Sequence, residues 1–348
     1  MSGDSLRVAI VGAGHIGGIH AKSLYAIGRL SPGNARLEYI VDVDFDRAKR
    51  LARIYGATPL RWDDVDRLRG VDLAIVATPT DTHRLVVEKL LDKGVEAMLV
   101  EKPLASTLED AAAIVSYSRR AWIAAGHSER FNPALQGVRV AASHGLLAEV
   151  DAVETRRLGP FVERAKNTDV IHDLAIHDFD IILTLVGGMP HKVFSIARRG
   201  LVSDTIDYST IILRFNSTIS STVVGRISPI KERIVRIYTK LGSIIELDFL
   251  NFRARSIDEV EIEIPLKVSP PIYREDLEVV TRLREGRDPP VGVQEAFLTL
   301  YLCKTAMTSA ELGVSIEIRE TPNYAKYREI LLEGEARYEQ AHRLLMGG

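Results

Sequence analysis

Residues 6–20 read LRVAIVGAGHIGGIH, and the way they divide decides the fold. Residues 6–11 form an apolar run interrupted only by Arg7, which gives way to Gly12, Ala13, Gly14, His15, Ile16 and Gly17, the pattern G-x-G-x-x-G. A buried strand that turns on glycines into a helix N-terminus is a ready anion site, because unpaired N–H groups and the helix dipole face the ligand. Gly12 then permits the tight turn, Gly14 lets the backbone approach a pyrophosphate, and Gly17 lets helix and strand pack closely. Gly12, Gly14, His15, Ile16 and Gly17 are the first candidate cofactor contacts. A nucleotide loop of the methyltransferase kind is the competing use of the same turn.

Working outward, residues 37–43 (LEYIVDV), 71–77 (VDLAIVA), 97–100 and 121–125 repeat the apolar signature. Helical patterns at 47–55, 83–93 and 107–118 separate them. Strands and helices alternating in this way predict an α/β fold, a doubly wound parallel sheet covered on both faces. Asp42 closes the second strand, where a carboxylate accepts hydrogen bonds from the adenosine ribose of NAD and repels the 2'-phosphate of NADP. Asp44 can share that role, and Arg47, Lys49 and Arg50 keep NADP open.

Past residue 126 the rhythm changes. One helical pattern at 171–185 precedes a region rich in Val, Ile, Thr and Phe from 193 to 264, with alternation in SIIELDF (243–249) and EVEIEI (259–264). Alternation marks strands with one wet face, so a second, large, open and mostly antiparallel sheet is expected. Helical patterns return at 275–284, 294–312 and 324–345. The reading is a dinucleotide-binding Rossmann domain over 1–126 and an α+β domain for substrate binding and oligomerisation over 127–348, with its last helices free to pack back on the first.

The 348 residues are 46% hydrophobic and 26% charged, a globular mix that excludes wholesale disorder. Lys and Arg number 45 against 47 Asp and Glu, a net charge of -2 that offers no basic field for nucleic acid and no polybasic membrane anchor. Cys303 is the only cysteine, which excludes an intrachain disulfide and points to a reducing, cytoplasmic setting. The N-terminus shows no secretory signal pattern, and no apolar stretch is long enough for a membrane span.

Two later strand ends carry the chemistry. Thr78, Pro79 and His83 lie in ATPTDTH, and Glu101 and Lys102 in EKP, at the carboxyl ends of parallel strands where open α/β sheets bind ligands. Lys102 there can donate to a substrate oxygen; whether the Lys102–Pro103 bond is cis is not readable. His83 and His20 read as capping or packing residues. GHSERFNP at 126–133 adds Arg130 as a cleft residue. In HDLAIHDFDI, Asp173 and His177 are four residues apart, so a carboxylate can orient an imidazole that titrates near neutrality and serves as general base. No metal site is expected, since His172 and His177 do not share a helix face. Arg156, Arg157, Arg164 and Lys166 approach Asp173 in sequence and are apt for a diphosphate, with Arg157, Arg164 and Phe161 singled out for substrate.

Taken together, GAGHIG, VDVD, ATPTDTH, EKP, GHSERFNP and D-x-x-x-H at 173–177 resemble the Gfo/Idh/MocA oxidoreductases, in family order. The resemblance implies a Rossmann domain followed by a mixed domain, NAD or NADP, a homodimer or homotetramer, and hydride transfer between a sugar or polyol carbon and nicotinamide C4. It implies Lys102 as catalytic lysine, Asp173 as its aspartate and His177 as acid/base histidine; the usual glycine two residues before the histidine is Ala175 here. The stretch at 155–181 is similar to a subgroup acting on nucleotide sugars, including UDP-N-acetylglucosamine 3-dehydrogenases. That makes C3 of a UDP-N-acetylhexosamine the expected site of oxidation. Inositol or a free sugar is the alternative substrate, and a non-catalytic NAD-binding sensor the alternative function.

Overall fold

The computed structural model describes residues 5–30, 34–147, 149–257 and 269–347, apart from the Arg164 side chain. The EVEIEI strand expected at 259–264 and the loop at Pro32 and Gly33 lie outside the described residues. The chain divides into two compact units, one running to Phe131 and including Ser269–Phe297, the other made of the remainder from Asn132 and from Leu298.

The first unit alternates β1 (Leu6–Val11), α1 (His15–Leu30), β2 (Ala35–Asp42), α2 (Phe45–Tyr55), β3 (Thr58–Arg61), β4 (Leu73–Val76), α3 (His83–Asp92), β5 (Ala97–Glu101), α4 (Leu108–Tyr117) and β6 (Trp122–Gly126). Its six-stranded sheet has the order β3-β2-β1-β4-β5-β6 with all pairs parallel. Every residue of β4 and β5 is buried, which is why these strands read as unbroken apolar runs. Helix boundaries follow local chemistry. The Asp44 carboxylate caps α2 by accepting from the Asp46 and Arg47 N–H groups, and Gly56 ends that helix in the left-handed conformation. Strand β3 is an unforeseen element: TPLR is short and carries Pro59, which a sheet tolerates at its edge, where β3 lies. Strand order reverses between β1 and β4, the crevice where ligands bind in this fold.

The second unit contains α5 (Gln136–Ser143), β7 (Val150–Leu158), a π-helical turn (Ile171–Ala175), α6 (Ile176–Val186), β8 (Lys192–Arg199), β9 (Ile206–Arg214), β10 (Ile219–Gly225), β11 (Glu232–Thr239), β12 (Ile244–Asp248) and β13 (Arg253–Ser256). Then α7 (Pro271–Glu285) returns to the first unit, where Val279 and Val280 join the core of Val8, Ile10, Leu24, Ile40 and Ile75. Helix α8 (Val293–Leu312), β14 (Ile316–Glu317) and α9 (Pro322–Met346) complete the chain. The eight-stranded sheet runs β13-β12-β11-β7-β10-β9-β8-β14 and is antiparallel except where β7 meets β10. Strand β7 lies at its centre although its residues VDAVETRRL read as a charge run. Burial alternates along it, so the pleat turns Arg156 outward and Arg157 inward. These two arginines therefore do not form one clamp.

Helix α6 is anchored from behind. Phe179, Ile181 and Ile182 are fully buried, and Tyr338 of α9 donates its hydroxyl to Asp180 Oδ1 at 2.7 Å. Replacing Tyr338 by Phe removes a donor from a buried carboxylate and is expected to cost about 1–3 kcal/mol of unfolding free energy, read by urea denaturation.

Candidate active site

In the first unit the glycine turn is closed at two positions and open at the third. Gly12 has φ +104° and donates its N–H to Val41 O at 2.8 Å; a β-carbon there would overlap the Ala77 carbonyl. A β-carbon on Gly17 would overlap the carbonyl of Gly12. Gly14 faces space with no atom within 4 Å of such a carbon, so backbone there is accessible to a pyrophosphate. Asp42 fastens the turn: Oδ2 accepts the Ala13 N–H at 2.7 Å and Oδ1 accepts the Asp44 N–H at 2.8 Å. Each carboxylate oxygen retains a second lone pair for a ribose hydroxyl. His15 and Ile16 are exposed, and Val43, just after Asp42, is 77% exposed, an apolar surface beside the turn.

The strand ends after β4 and β5 are stitched by histidines. His83 is buried, with Nδ1 3.2 Å from Leu104 O and Nε2 3.0 Å from Thr78 O, and burial pushes its pKa below the ordinary value. A neutral ring carries one N–H, so His83 donates to one of these two carbonyls and packs against the other, between the ATPT turn and the segment after EKP. Thr82 reinforces the turn by donating its one hydroxyl proton to Pro79 O at 2.7 Å, with Thr78 Oγ1 2.9 Å from the Thr82 hydroxyl oxygen. The Lys102–Pro103 bond is cis, and the Lys102 N–H donates to Glu101 Oε2 at 3.1 Å. Glu101 itself is buried, with Oε1 3.0 Å from His20 Nε2, and His20 Nδ1 lies 2.8 Å from Asp276 Oδ1. Burial works against charge on both partners, yet the Asp276 and Glu101 carboxylates raise His20 well above its ordinary value and the His20 hydrogen bond lowers Glu101. Each ring nitrogen faces a carboxylate oxygen, the geometry that suits an imidazolium donating to both. Arg130, expected in the cleft, is mostly buried and paired with Glu295.

In the second unit, Asp169 organises the π turn by accepting the N–H groups of Ile171 and His172, both at 2.9 Å, and by holding His172 Nδ1 at 2.8 Å. The His172 contact keeps the Asp169 carboxyl below its usual range against the effect of burial. Asp173 follows in the same turn, and His177 stands half-buried in the first turn of α6. π turns recur at functional sites because they re-aim side chains within a helix. Arg226, just after β10, donates to Asp173 Oδ2 at 2.6 Å, to Ala165 O at 3.0 Å and to Thr168 O. That guanidinium fixes both the loop before the turn and the carboxylate within it. Arg157 is buried with Nε 3.1 Å from both oxygens of Asp178, and Lys166 pairs with Glu163. Phe161 is half-buried.

Sequence reasoning missed Arg226, Asp169 and Asp276. Asp169 carried a readable signal, an acid two and three residues before N–H groups opening a helix. Arg226 and Asp276 carried none, because their partners are distant in the chain. Arg226→Met is expected to lower unfolding free energy by about 2–3 kcal/mol, since a charged donor is withdrawn from Asp173 and two carbonyls, and Arg226→Lys to recover only part of it. Denaturant titration reads both. For His20 the folded pKa exceeds the unfolded value, so its stabilisation is complete below about pH 6.5 and is lost as pH rises through the folded value. The melting-temperature gap between wild type and His20→Gln should shrink from pH 6 toward pH 9 by that sign; a constant gap would contradict the charged assignment.

Comparison with known proteins agrees with this architecture. Residues 6–122 match the "Oxidoreductase family, NAD-binding Rossmann fold" description and residues 135–245 match the GFO/IDH/MocA C-terminal domain. UDP-N-acetylglucosamine 3-dehydrogenase of Acidithiobacillus ferrooxidans is 32% identical over 251 residues, covering 71% of this chain and 75% of that protein. Inositol 2-dehydrogenase of Rhizobium meliloti is 28% identical over 233 residues, 64% of this chain and 67% of that one. The solved structure of the Acidithiobacillus enzyme superposes with a TM-score of 0.78 at 26% identity, covering 88% of this chain and 98% of that one. The chain belongs to the Gfo/Idh/MocA oxidoreductase family, with an NAD-binding Rossmann domain followed by that family's C-terminal domain.

Proposed function

We propose that the chain uses NAD to oxidise a secondary hydroxyl of a nucleotide sugar, C3 of a UDP-N-acetylhexosamine such as UDP-N-acetylglucosamine. The observation that carries the substrate is the 32% identity to a UDP-N-acetylglucosamine 3-dehydrogenase. The glycine turn supports the cofactor: open space at Gly14 and the N–H groups opening α1 suit a pyrophosphate, Asp42 suits the ribose, and exposed Ile16 and Val43 suit an adenine face.

When bound, NAD supplies a hydride acceptor at nicotinamide C4. His177 acts as general base on the substrate hydroxyl, and Asp173, itself held by Arg226, orients it. Lys102 donates a hydrogen bond to the same oxygen and stabilises the charge that develops as the proton leaves. Loss of that proton and of the carbon-bound hydride yields the ketone. Phe161 and Arg164 are the proposed contacts to the nucleotide portion, while Arg130 and Arg157 serve by bracing Glu295 and Asp178. No helix among the described residues is long and apolar enough to cross a membrane, and the proposal includes a cytoplasmic homodimer or homotetramer.

The 28% identity to an inositol 2-dehydrogenase favours a second reading, a polyol dehydrogenase with the same residues in the same roles. Turnover of NAD with UDP-N-acetylglucosamine, UDP-N-acetylgalactosamine, myo- and scyllo-inositol and glucose, followed by nicotinamide absorbance, separates the two. A kcat/KM at least about tenfold higher for a UDP-sugar, roughly 1.4 kcal/mol of barrier, is expected. Preference for an inositol moves the assignment to the second reading, and NAD binding without any turnover revives the sensor. With the preferred substrate, Lys102→Met and His177→Asn should each lower kcat/KM by about 100-fold or more.

A further inference from the structure

We propose that His20 is a positioning residue for Lys102, an inference that rests on the role of Lys102 proposed above. The imidazole has 0% exposure and joins three elements of the first unit: its own α1, Glu101 at the end of β5 and Asp276 of α7. Glu101 transmits the contact, because one of its oxygens meets His20 Nε2 and the other accepts the Lys102 N–H. Room for that carboxylate is made at the neighbouring strand end, where a β-carbon on Gly126 would lie 2.9 Å from Glu101 Oε1.

The chemistry argues against a mere packing role. Two carboxylates and an imidazolium are withdrawn from water, and Asp276 Oδ2 is buried with no hydrogen-bond partner among the described residues. A trio of apolar side chains of similar volume would hold α1 on the sheet without that desolvation cost. What apolar residues cannot do is fix the direction of the Glu101 carboxylate, and through it the backbone from which Lys102 springs. On the far side the buried His83 ring lies against Leu104 O, so the segment 102–104 is flanked by buried histidines. The same helix that carries His20 begins at the glycine turn, so the lysine is referenced to the dinucleotide through a single rigid element.

The test compares full-length wild type, His20→Gln and His20→Gln/Asp276→Asn, the second change removing the carboxylate that the first leaves unpaired. Melting temperature, NAD affinity, and kcat and KM for the preferred substrate are measured for each. In parallel, the chain is reductively methylated with 13C-formaldehyde and the Lys102 signal, assigned by its loss in Lys102→Met, is followed by NMR across a pH titration. The double variant is expected to regain most of the melting temperature lost by His20→Gln and to bind NAD within about threefold of wild type. Its kcat stays about ten- to a hundredfold low and its Lys102 signal is displaced. Recovery of kcat together with stability, or an unmoved Lys102 signal, would show a structural role only and overturn the proposal. If wild type turns over none of the substrates, the proposed reaction fails by itself, and displacement or constancy of the Lys102 signal still decides for or against His20.

Discussion

The turn between β1 and α1 tolerates no side chain at Gly12 or Gly17, because each would occupy the space of a neighbouring carbonyl. That crowding brings helix, first strand and fourth strand together at one point, and the rest of the dinucleotide unit is arranged around it. Gly12 lies against Ala77, so the turn after β4 is set; the Ala13 N–H reaches Asp42, so the end of β2 is set. Gly14, under no such constraint, leaves an opening where the helix N-terminus presents its unpaired donors. The parallel sheet behind it is the means by which three strand ends arrive at that opening together.

In each unit, acids assigned to the chemistry or next to it are held by cations. Glu101 is held by His20, Asp173 by Arg226, and Asp178 by Arg157. A buried ion pair contributes little net stability over an apolar replacement, but removing one partner leaves a charge stranded. Such pairs fix orientation more than they strengthen the fold. The π turn fits the same pattern: Asp169 satisfies its leading N–H groups, so an irregular helix start persists directly before His177.

Legibility of these features follows range. The Rossmann strands were readable because burial on both faces leaves an unbroken apolar run, as in LAIV of β4 and AMLVE of β5. The glycine turn was readable, and Asp42, Lys102, Asp173 and His177 could be named as candidates, because each sits in a short local pattern. Strand β7 was not: its arginines and acids alternate faces, and a strand with wet residues at every second position looks in one dimension like a charged loop. His20 read as packing because neither Glu101 nor Asp276 is near it in sequence, although all three meet within hydrogen-bond distance. Arg226 was invisible for the same reason, and the two neighbouring arginines of β7, read as one patch, are separated by the pleat.

The central claim is that a hydride leaves C3 of an amino sugar while His177 takes the hydroxyl proton. Its most direct measurement uses UDP-N-acetylglucosamine carrying deuterium at C3, incubated with the protein and NAD, with the nicotinamide product examined by NMR. The account predicts deuterium at C4 of the reduced ring and a slowed single-turnover rate. Reduced cofactor free of deuterium, with the label still at C3 of the sugar, would contradict it.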